Sequence, residues 1–549
     1  TFLERMSLSF QGAPPLLPTV ALLFLLAAPS SDAFLQIPSV HPSLSASPAI
    51  NVLGRASSRG LAAGIRRGVP SRLRMSAEEV DYVVVGGGIS GMATAHFLEK
   101  AGHKVILAEA TEALGGNIIT RSEEGFTWED GPNTFQPGDA ILDFLSAMGL
   151  ESQLVSSNPK LPRFVYYDGA MFSLPSGGGP PKDLLKLLTP LGLARAAVGA
   201  LLPTGVKSED ESIAQFFDRT LGPEVLEKLV DPFISTVYSG DPSKLSFKSV
   251  FPAIHKVAGD AGGFGGLVGS FIRGRIAAKK GPQAARTSSA TLPKGSSGSL
   301  QGGLAAIPAA AAGALGDVRT SWKGVSLAKK GDGEGYVTTF STPSGDKTVH
   351  SKGVAIATDP PAAALLLKAV APSADAIATA VTAPPVWAVT FAYPCSAFRE
   401  DIPCVADGRL AGFGVLIPRA CKIETLGFQF ISSLFPARAP PGQESLLAYI
   451  GGAQNPSVKD LTAEQVMSKV DADARRVLLK PDAPPPTVLS CLLWPHAIPQ
   501  YNRGHAAATD KIRAELPDGV VMASSFAGGG IALGDCVTRA KQCAEQLQR

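Results

Sequence analysis

Asp81-Tyr-Val-Val-Val85 runs without a break into Gly86-Gly-Gly-Ile-Ser-Gly91 and on into Met92-Ala-Thr-Ala-His-Phe-Leu98. The apolar run reads as a buried strand and the stretch after the last glycine as a helix. Strand, glycine turn and helix in that order open a dinucleotide-binding βαβ unit. In the spacing G-x-G-x-x-G, Gly86 makes the tight turn, Gly88 lets the backbone approach a pyrophosphate, and Gly91 packs the helix on the strand. Gly87, Ile89 and Ser90 complete the loop, which leaves the helix N-terminus facing the phosphates. A second strand, Lys104 to Ala108, ends in Glu109, an acid placed to accept hydrogen bonds from a ribose 2′-OH.

Directly after that acid, Leu114-Gly115-Gly116-Asn117 resembles the glycine doublet of the glutathione-reductase-like flavoproteins, which implies FAD rather than NAD. The sequence departs from that pattern at Ala113, where an arginine is usual. Near the C-terminus Gly528-Gly-Gly-Ile-Ala-Leu-Gly534 precedes a helical stretch over 536–548. In flavoproteins of this build the last helix points its positive dipole end at the flavin ring. Here Ser525-Phe526 stands where such proteins commonly have Gly-Asn.

Four stretches carry a narrower resemblance: Gly125-Phe-Thr-Trp-Glu-Asp-Gly-Pro-Asn-Thr-Phe-Gln-Pro137, Val237-Tyr-Ser-Gly-Asp-Pro-Ser-Lys-Leu-Ser246, Ser433-Leu-Phe-Pro-Ala-Arg-Ala-Pro440 and Trp494-Pro-His-Ala-Ile-Pro-Gln500. Together, and spread over nearly all of the chain beyond residue 80, they look like the protoporphyrinogen oxidases of the plant plastid branch, within the flavin amine oxidase-like superfamily. The resemblance implies FAD, oxidation of protoporphyrinogen IX to protoporphyrin IX in heme and chlorophyll synthesis, and molecular oxygen as acceptor with hydrogen peroxide formed. It places Gly131, Pro132, Asn133 and Thr134 along the cofactor near the flavin, with Gly324 near the adenine end and Ile531, Ala532 and Leu533 at the closing motif. For the substrate it carries over Arg163 as the holder of a propionate, Gly240 as backbone close to the reacting carbon, and Leu416 and Phe430 as ring contacts. Arginine suits a carboxylate because its planar fork binds it bidentately. Alternation in Phe428-Gln-Phe430 puts both phenylalanines on one strand face, where plain core packing competes with ring contact. The resemblance also extends to a monotopic membrane surface, a homodimer and hand-over of product to a chelatase.

The chain has 549 residues, 45% hydrophobic and 18% charged, with a net charge of +3. That length supports a large core and several domains, and basic residues form no stripe of the kind nucleic acid needs. The six cysteines lack C-x-x-C spacing and the seven histidines lack H-x-x-x-H, so no metal site is expected. No Ser/His/Asp constellation stands out, and no general base is assigned; positioning is the expected catalytic device.

Leu16 to Ala28 is an apolar run shorter than the roughly 20 residues of a bilayer span, followed by a plausible cleavage point before Phe34. Residues 34–75 are rich in Ser and Arg and lack acids, which is transit-peptide composition. Signal then transit resembles the leaders of plastids bounded by extra membranes, so the expected location is a plastid membrane surface.

The fold expected is α/β: an FAD-binding, Rossmann-like domain of the glutathione-reductase type, a mixed-sheet substrate domain and a helical membrane-associating domain. Residues 1–33 are assigned to a signal peptide and 34–75 to a transit peptide. The FAD domain takes 78–160, 304–359 and 501–549, the substrate domain 161–175 and 360–500, the helical domain 176–280, and a flexible linker 281–303. Two rivals stay open: an FAD-dependent desaturase or amine oxidase, which has no use for Arg163, and a flavin-binding scaffold without turnover.

Overall fold

The computed structural model describes residues 78–174, 183–203, 205–259, 266–267, 291–293, 295–331 and 333–549. The leader readings over 1–75, and the linker reading at 281–290, lie outside these residues.

The Glu78–Val85 strand is the centre of a seven-stranded sheet. It pairs in parallel with Val105–Ala108 on one side and Lys347–Ile356 on the other. Its side chains alternate: Tyr82 and Val84 enter one core, Val83 and Val85 the other. A strand covered on both faces needs apolar residues at every position, which is why this run is continuous rather than alternating. One face is covered by the Ile89–Lys100 helix, which is buried over most of its circumference, and by the last helix, Leu533–Leu547. The two ends of the described chain meet there, for the Tyr82 hydroxyl donates to the Leu547 carbonyl 465 residues away, at 2.9 Å.

A second seven-stranded sheet runs in the order Thr487–Trp494, Val386–Pro394, Gln443–Gly451, Thr425–Phe430, Gly414–Leu416, Arg163–Tyr167, Ala170–Leu174. Every pairing is antiparallel except that of Gly414–Leu416 with Arg163–Tyr167. The Ala463–Val477 helix, opened by a Thr462/Gln465 capping box, closes the back of this sheet over a core that includes Phe164, Phe391, Phe428 and Phe430. A capping box satisfies two otherwise orphaned backbone groups at a helix start. Helices from Leu184 to Gly259 form a third core around Phe216, Phe217 and Phe247.

Two boundaries differ from the sequence reading. Residues 360–381, assigned to the substrate domain, pack on the cofactor sheet through Leu366, Leu367, Ile377 and Val381; the Asp359 cap and Pro360 start a helix there whose apolar face the first sheet covers. The linker reading of 281–303 ends early, because Gly298–Leu300 is a fully buried strand paired with Leu154–Ser156. Its glycine and serine fit because Phe135 crowds Gly298, and Ser299 accepts a hydrogen bond from Arg438.

Candidate active site

At the dinucleotide loop each glycine has a distinct reason. Gly86 sits at φ +109, and a Cβ there would meet the Ala357 carbonyl oxygen at 2.6 Å. On Gly91 a Cβ would overlap the Gly86 carbonyl, which is the close helix–strand packing the motif requires. At Gly88 it would meet nothing, so this face of the loop is open. The Ile89–Lys100 helix carries no side-chain cap, leaving N–H groups at its first turn for an anion. Glu109 is buried beside the loop; its carboxylate accepts from Gly87 N at 2.6 Å and from Thr111 N and Oγ1 at 2.8 Å. The doublet comes back to the same place, Gly115 bridging to Gly88 and donating to the Gly87 carbonyl at 3.0 Å. Gly324 lies against Val85 two residues beyond Trp322, whose N–H donates to the Glu109 carbonyl at 2.7 Å, so it stands at the Glu109 end of the cleft.

The Gly131–Thr134 segment is held from several sides. Gly131 approaches the Asn117 carbonyl too closely for any Cβ. Before it, Glu129 accepts from Arg438 Nη2 at 3.0 Å and from the Leu304 N–H at 2.9 Å, with both charged side chains almost wholly buried. Burial raises the Glu129 carboxyl and lowers the Arg438 guanidinium, and each partner opposes the other's shift. The Asp130 carboxylate accepts from Ser490 and its carbonyl accepts from Trp494 Nε1 at 2.8 Å. Asn133 Nδ2 donates to the Gly131 carbonyl and to the Tyr449 hydroxyl at 2.9 Å, while its Oδ1 is buried without a partner. Tyr449 is half-buried, and burial pushes its phenol well above the usual tyrosine range.

At the closing motif Gly528, Gly529 and Gly530 all have positive φ. The Tyr501 hydroxyl donates to the Gly530 carbonyl at 3.0 Å, and Arg539 lies against Gly529 with its Nε buried and unpartnered. Ile531, Ala532 and Leu533 lead directly into the last helix. Asp535, in that helix's first turn, is raised by burial and acts on the phenols of Tyr238 and Tyr501, which joins the motif to the 238–240 turn. Phe526, the departure noted in the sequence, turns into the core with Ile512 and Met522 and leaves the cleft. Ala113 is exposed, its carbonyl accepting from Thr111.

On the substrate sheet, register aligns two rows on one face. The first runs Ala388, Tyr449, Gly427, Leu416, Val165; the second Thr390, Leu447, Gln429, Gly414, Arg163. Phe126 and Trp128 cover the Ala388 and Leu447 end, and the helical core covers the Leu416 and Val165 end. Between them lies the Thr425–Phe430 strand, where Gly427 is buried beside Thr236 of the Asp231–Val237 helix and Gly414 lies opposite Gln429 in the next strand. Arg163 stands at the helical side with its guanidinium 4.6 Å above the Phe413 ring, and no carboxylate among the described residues pairs with it. Burial pulls it down to about 10, which leaves it charged at neutral pH. Gly240 is buried near this end; its carbonyl accepts from Gln454 at 2.9 Å, and a Cβ would press on Leu245 and Gln500. Leu416 and Ile531 border the same helical core.

Arg163, Leu416, Gly240, Ile531 and the Asn133–Tyr449 pair are thus brought around one cleft. Phe430 is not: it is fully buried in the core behind the sheet, on the face opposite Arg163. Sequence reasoning missed Tyr449, Gln429 and the Glu129–Arg438 pair. With Phe428 and Phe430 in the core, alternation turns Gln429 to the opposite face, the one that carries Arg163.

An open glycine loop at an uncapped helix start, an acid beside it and a closing helix that follows a glycine turn fit a bound FAD, as does the unpartnered Asn133 oxygen. The class this defines is a flavin-dependent oxidoreductase. The family model for flavin containing amine oxidoreductases matches residues 89–548. Curated relatives include a chloroplastic protoporphyrinogen oxidase 1 of Spinacia oleracea, 39% identical over 85% of this chain and 84% of its own length, and a chloroplastic protoporphyrinogen oxidase of Oryza sativa subsp. japonica, 40% identical over 85% and 88%. A solved candidate protoporphyrinogen oxidase from Exiguobacterium sp. 255-15 superposes with a TM-score of 0.67 at 24% identity, over 86% of this chain and 100% of its own, and shows the shared fold. The chain belongs to the flavin containing amine oxidoreductase family and, within it, to the protoporphyrinogen oxidases.

Proposed function

We propose that this protein oxidises protoporphyrinogen IX to protoporphyrin IX at a plastid membrane, using FAD and oxygen. The observation that carries the reading is Arg163: a half-buried, charged guanidinium that no carboxylate among the described residues pairs with is a cost to the fold unless an anion from outside completes it. Bound FAD supplies the two-electron acceptor for each of three carbon oxidations, and oxygen, reduced to hydrogen peroxide, restores it.

The chain's own groups orient the substrate. Arg163 takes a propionate, and Gly240 brings backbone close to the reacting carbon. Leu416 and Ile531 offer apolar contact. Tyr238 and Tyr449 stay protonated, since burial raises both phenols, and they serve as neutral walls or donors. A carotenoid desaturase or a simple amine oxidase would leave the Arg163 charge without a partner.

Membrane contact is supported by the Pro190–Leu201 helix and its surroundings. Leu191 is 80% exposed, Leu202 and Val198 54%, Leu201 46% and Leu185 38%, which gathers most of the exposed large apolar side chains in one short stretch. Such a face suits docking on a lipid surface. No helix among the described residues is long and apolar enough to cross a membrane. The chloroplastic names of the relatives support the plastid.

The test is the visible spectrum of the purified protein with FAD, followed by porphyrin fluorescence on adding protoporphyrinogen, with Arg163→Ala alongside. Fluorescence growth above autoxidation that falls in the variant is expected. Bound flavin without growth would overturn the reading.

A further inference from the structure

Arg163 and Gln429 stand in one cross-sheet row with only Gly414 between them. Neighbouring strands lie about 4.8 Å apart, so the two side chains rise from backbone about 10 Å apart. Phe428 and Phe430 both enter the core behind the sheet, and alternation therefore turns Gln429 to the Arg163 side. That side is covered by the Phe126–Trp128 hairpin at one end and by the helices at the other, and Gln429 lies in the interval. It is half-buried, and no hydrogen bond from the other described residues ties its amide. A half-buried amide on the Arg163 face, across a glycine from a cation that no described carboxylate pairs with, is placed to recognise a polar group on whatever binds there.

We propose that the Gln429 amide donates to a second carboxylate of the substrate while Arg163 holds the first, so that the pair sets how the macrocycle is turned. This rests on the porphyrinogen reading. The two propionates of protoporphyrinogen hang from neighbouring pyrrole rings, and a charged holder with a neutral one matches them without placing a second unpaired cation in the cleft. Gly414 has φ +154, and a Cβ there would collide with the Phe428 carbonyl oxygen; the gap between the two holders is therefore kept clear by the backbone itself.

The experiment measures binding of the product, protoporphyrin IX, and of its dimethyl ester to the FAD-loaded protein by fluorescence. Gln429→Leu should weaken the diacid about tenfold, the ratio for one hydrogen bond to a charged group, and leave the ester unchanged. Gln429→Glu, close in size, should weaken the diacid further by repulsion and again spare the ester; it also serves as the informative variant should the leucine protein fail to hold flavin. Unchanged diacid binding in both variants, or equal loss for diacid and ester, overturns the proposal. If Arg163→Ala discriminates diacid from ester and the Gln429 variants do not, only this inference fails. If the parent protein holds flavin and binds neither porphyrin, the substrate reading falls and takes this inference with it.

Discussion

At the cofactor end of the cleft, Gly86, Gly91 and Gly131 meet their neighbours backbone to backbone. Across it the substrate sheet presents Arg163, Gln429 and Tyr449 as side chains from three different strands. The first region is shaped by what is missing from its residues, and added atoms have nowhere to go. The second is shaped by what its residues reach toward, so substitutions there change recognition with little effect on the fold.

The largest effect should come from Gly91→Ala. The new methyl would overlap the Gly86 carbonyl, a clash with backbone that no side-chain movement relieves, and a loss of more than about 4 kcal/mol with no retained flavin is expected. An ordinary flavin-to-protein absorbance ratio in that variant would break the contrast. Next stands Arg438→Met, which strands Glu129 in the interior and should cost about 3–5 kcal/mol in denaturant unfolding. Adding Glu129→Gln should recover much of the loss, since removal of both charges leaves none uncompensated.

Arg163→Met sharpens the comparison from the other side. Its kcat/KM should fall by about 1.5–3 kcal/mol, roughly ten- to more than a hundredfold, while substrate-free thermal stability holds or rises because no carboxylate among the described residues pairs with the cation. The pH sign follows from its lowered pKa: the cost of the buried charge is present in full below about 10 and fades as pH rises through it, so the stability gained by the variant should be undiminished at neutral pH. A marked fall in stability would reveal a partner for the cation. Tyr449→Phe removes one hydroxyl that accepts from Asn133 and should cost about 0.5–1.5 kcal/mol in kcat/KM, a few-fold. Smallest in stability is Leu191→Ser, expected within about 0.5 kcal/mol of the parent because the side chain is 80% exposed. Its flotation with anionic liposomes should nevertheless drop, and unchanged flotation would move the membrane face elsewhere.

The same contrast explains what could be read without a structure. The dinucleotide loop, the acid at 109 and the doublet are contiguous, each demanded by local geometry, and all lie where their spacing puts them. The closing helix was legible for the same reason. Phe430 was not assignable by pattern alone, because a strand's alternation says that Phe428 and Phe430 share a face without saying which face is the core. Tyr449 and Asn133 meet across 316 residues, and the Glu129–Arg438 pair across 309; no local spacing announces such contacts. The linker's buried end was hidden by composition, since glycine and serine usually mark loops, whereas at Gly298 they mark a strand squeezed against Phe135.

The hydrogen bond from Tyr82 to the Leu547 carbonyl joins the first strand to the last turn of the last helix. A domain closed in this way has very high contact order, which slows folding and lengthens the life of partly folded forms. The first βαβ unit can be synthesised and even wound early, but the Leu533–Leu547 helix that covers it follows only after the substrate sheet has been made. A chain emerging from a ribosome therefore cannot complete its nucleotide cleft until that helix is free. Holding the Leu533–Leu547 segment inside the exit tunnel should leave an incomplete cleft, and its release should be the event that commits the protein to its cofactor.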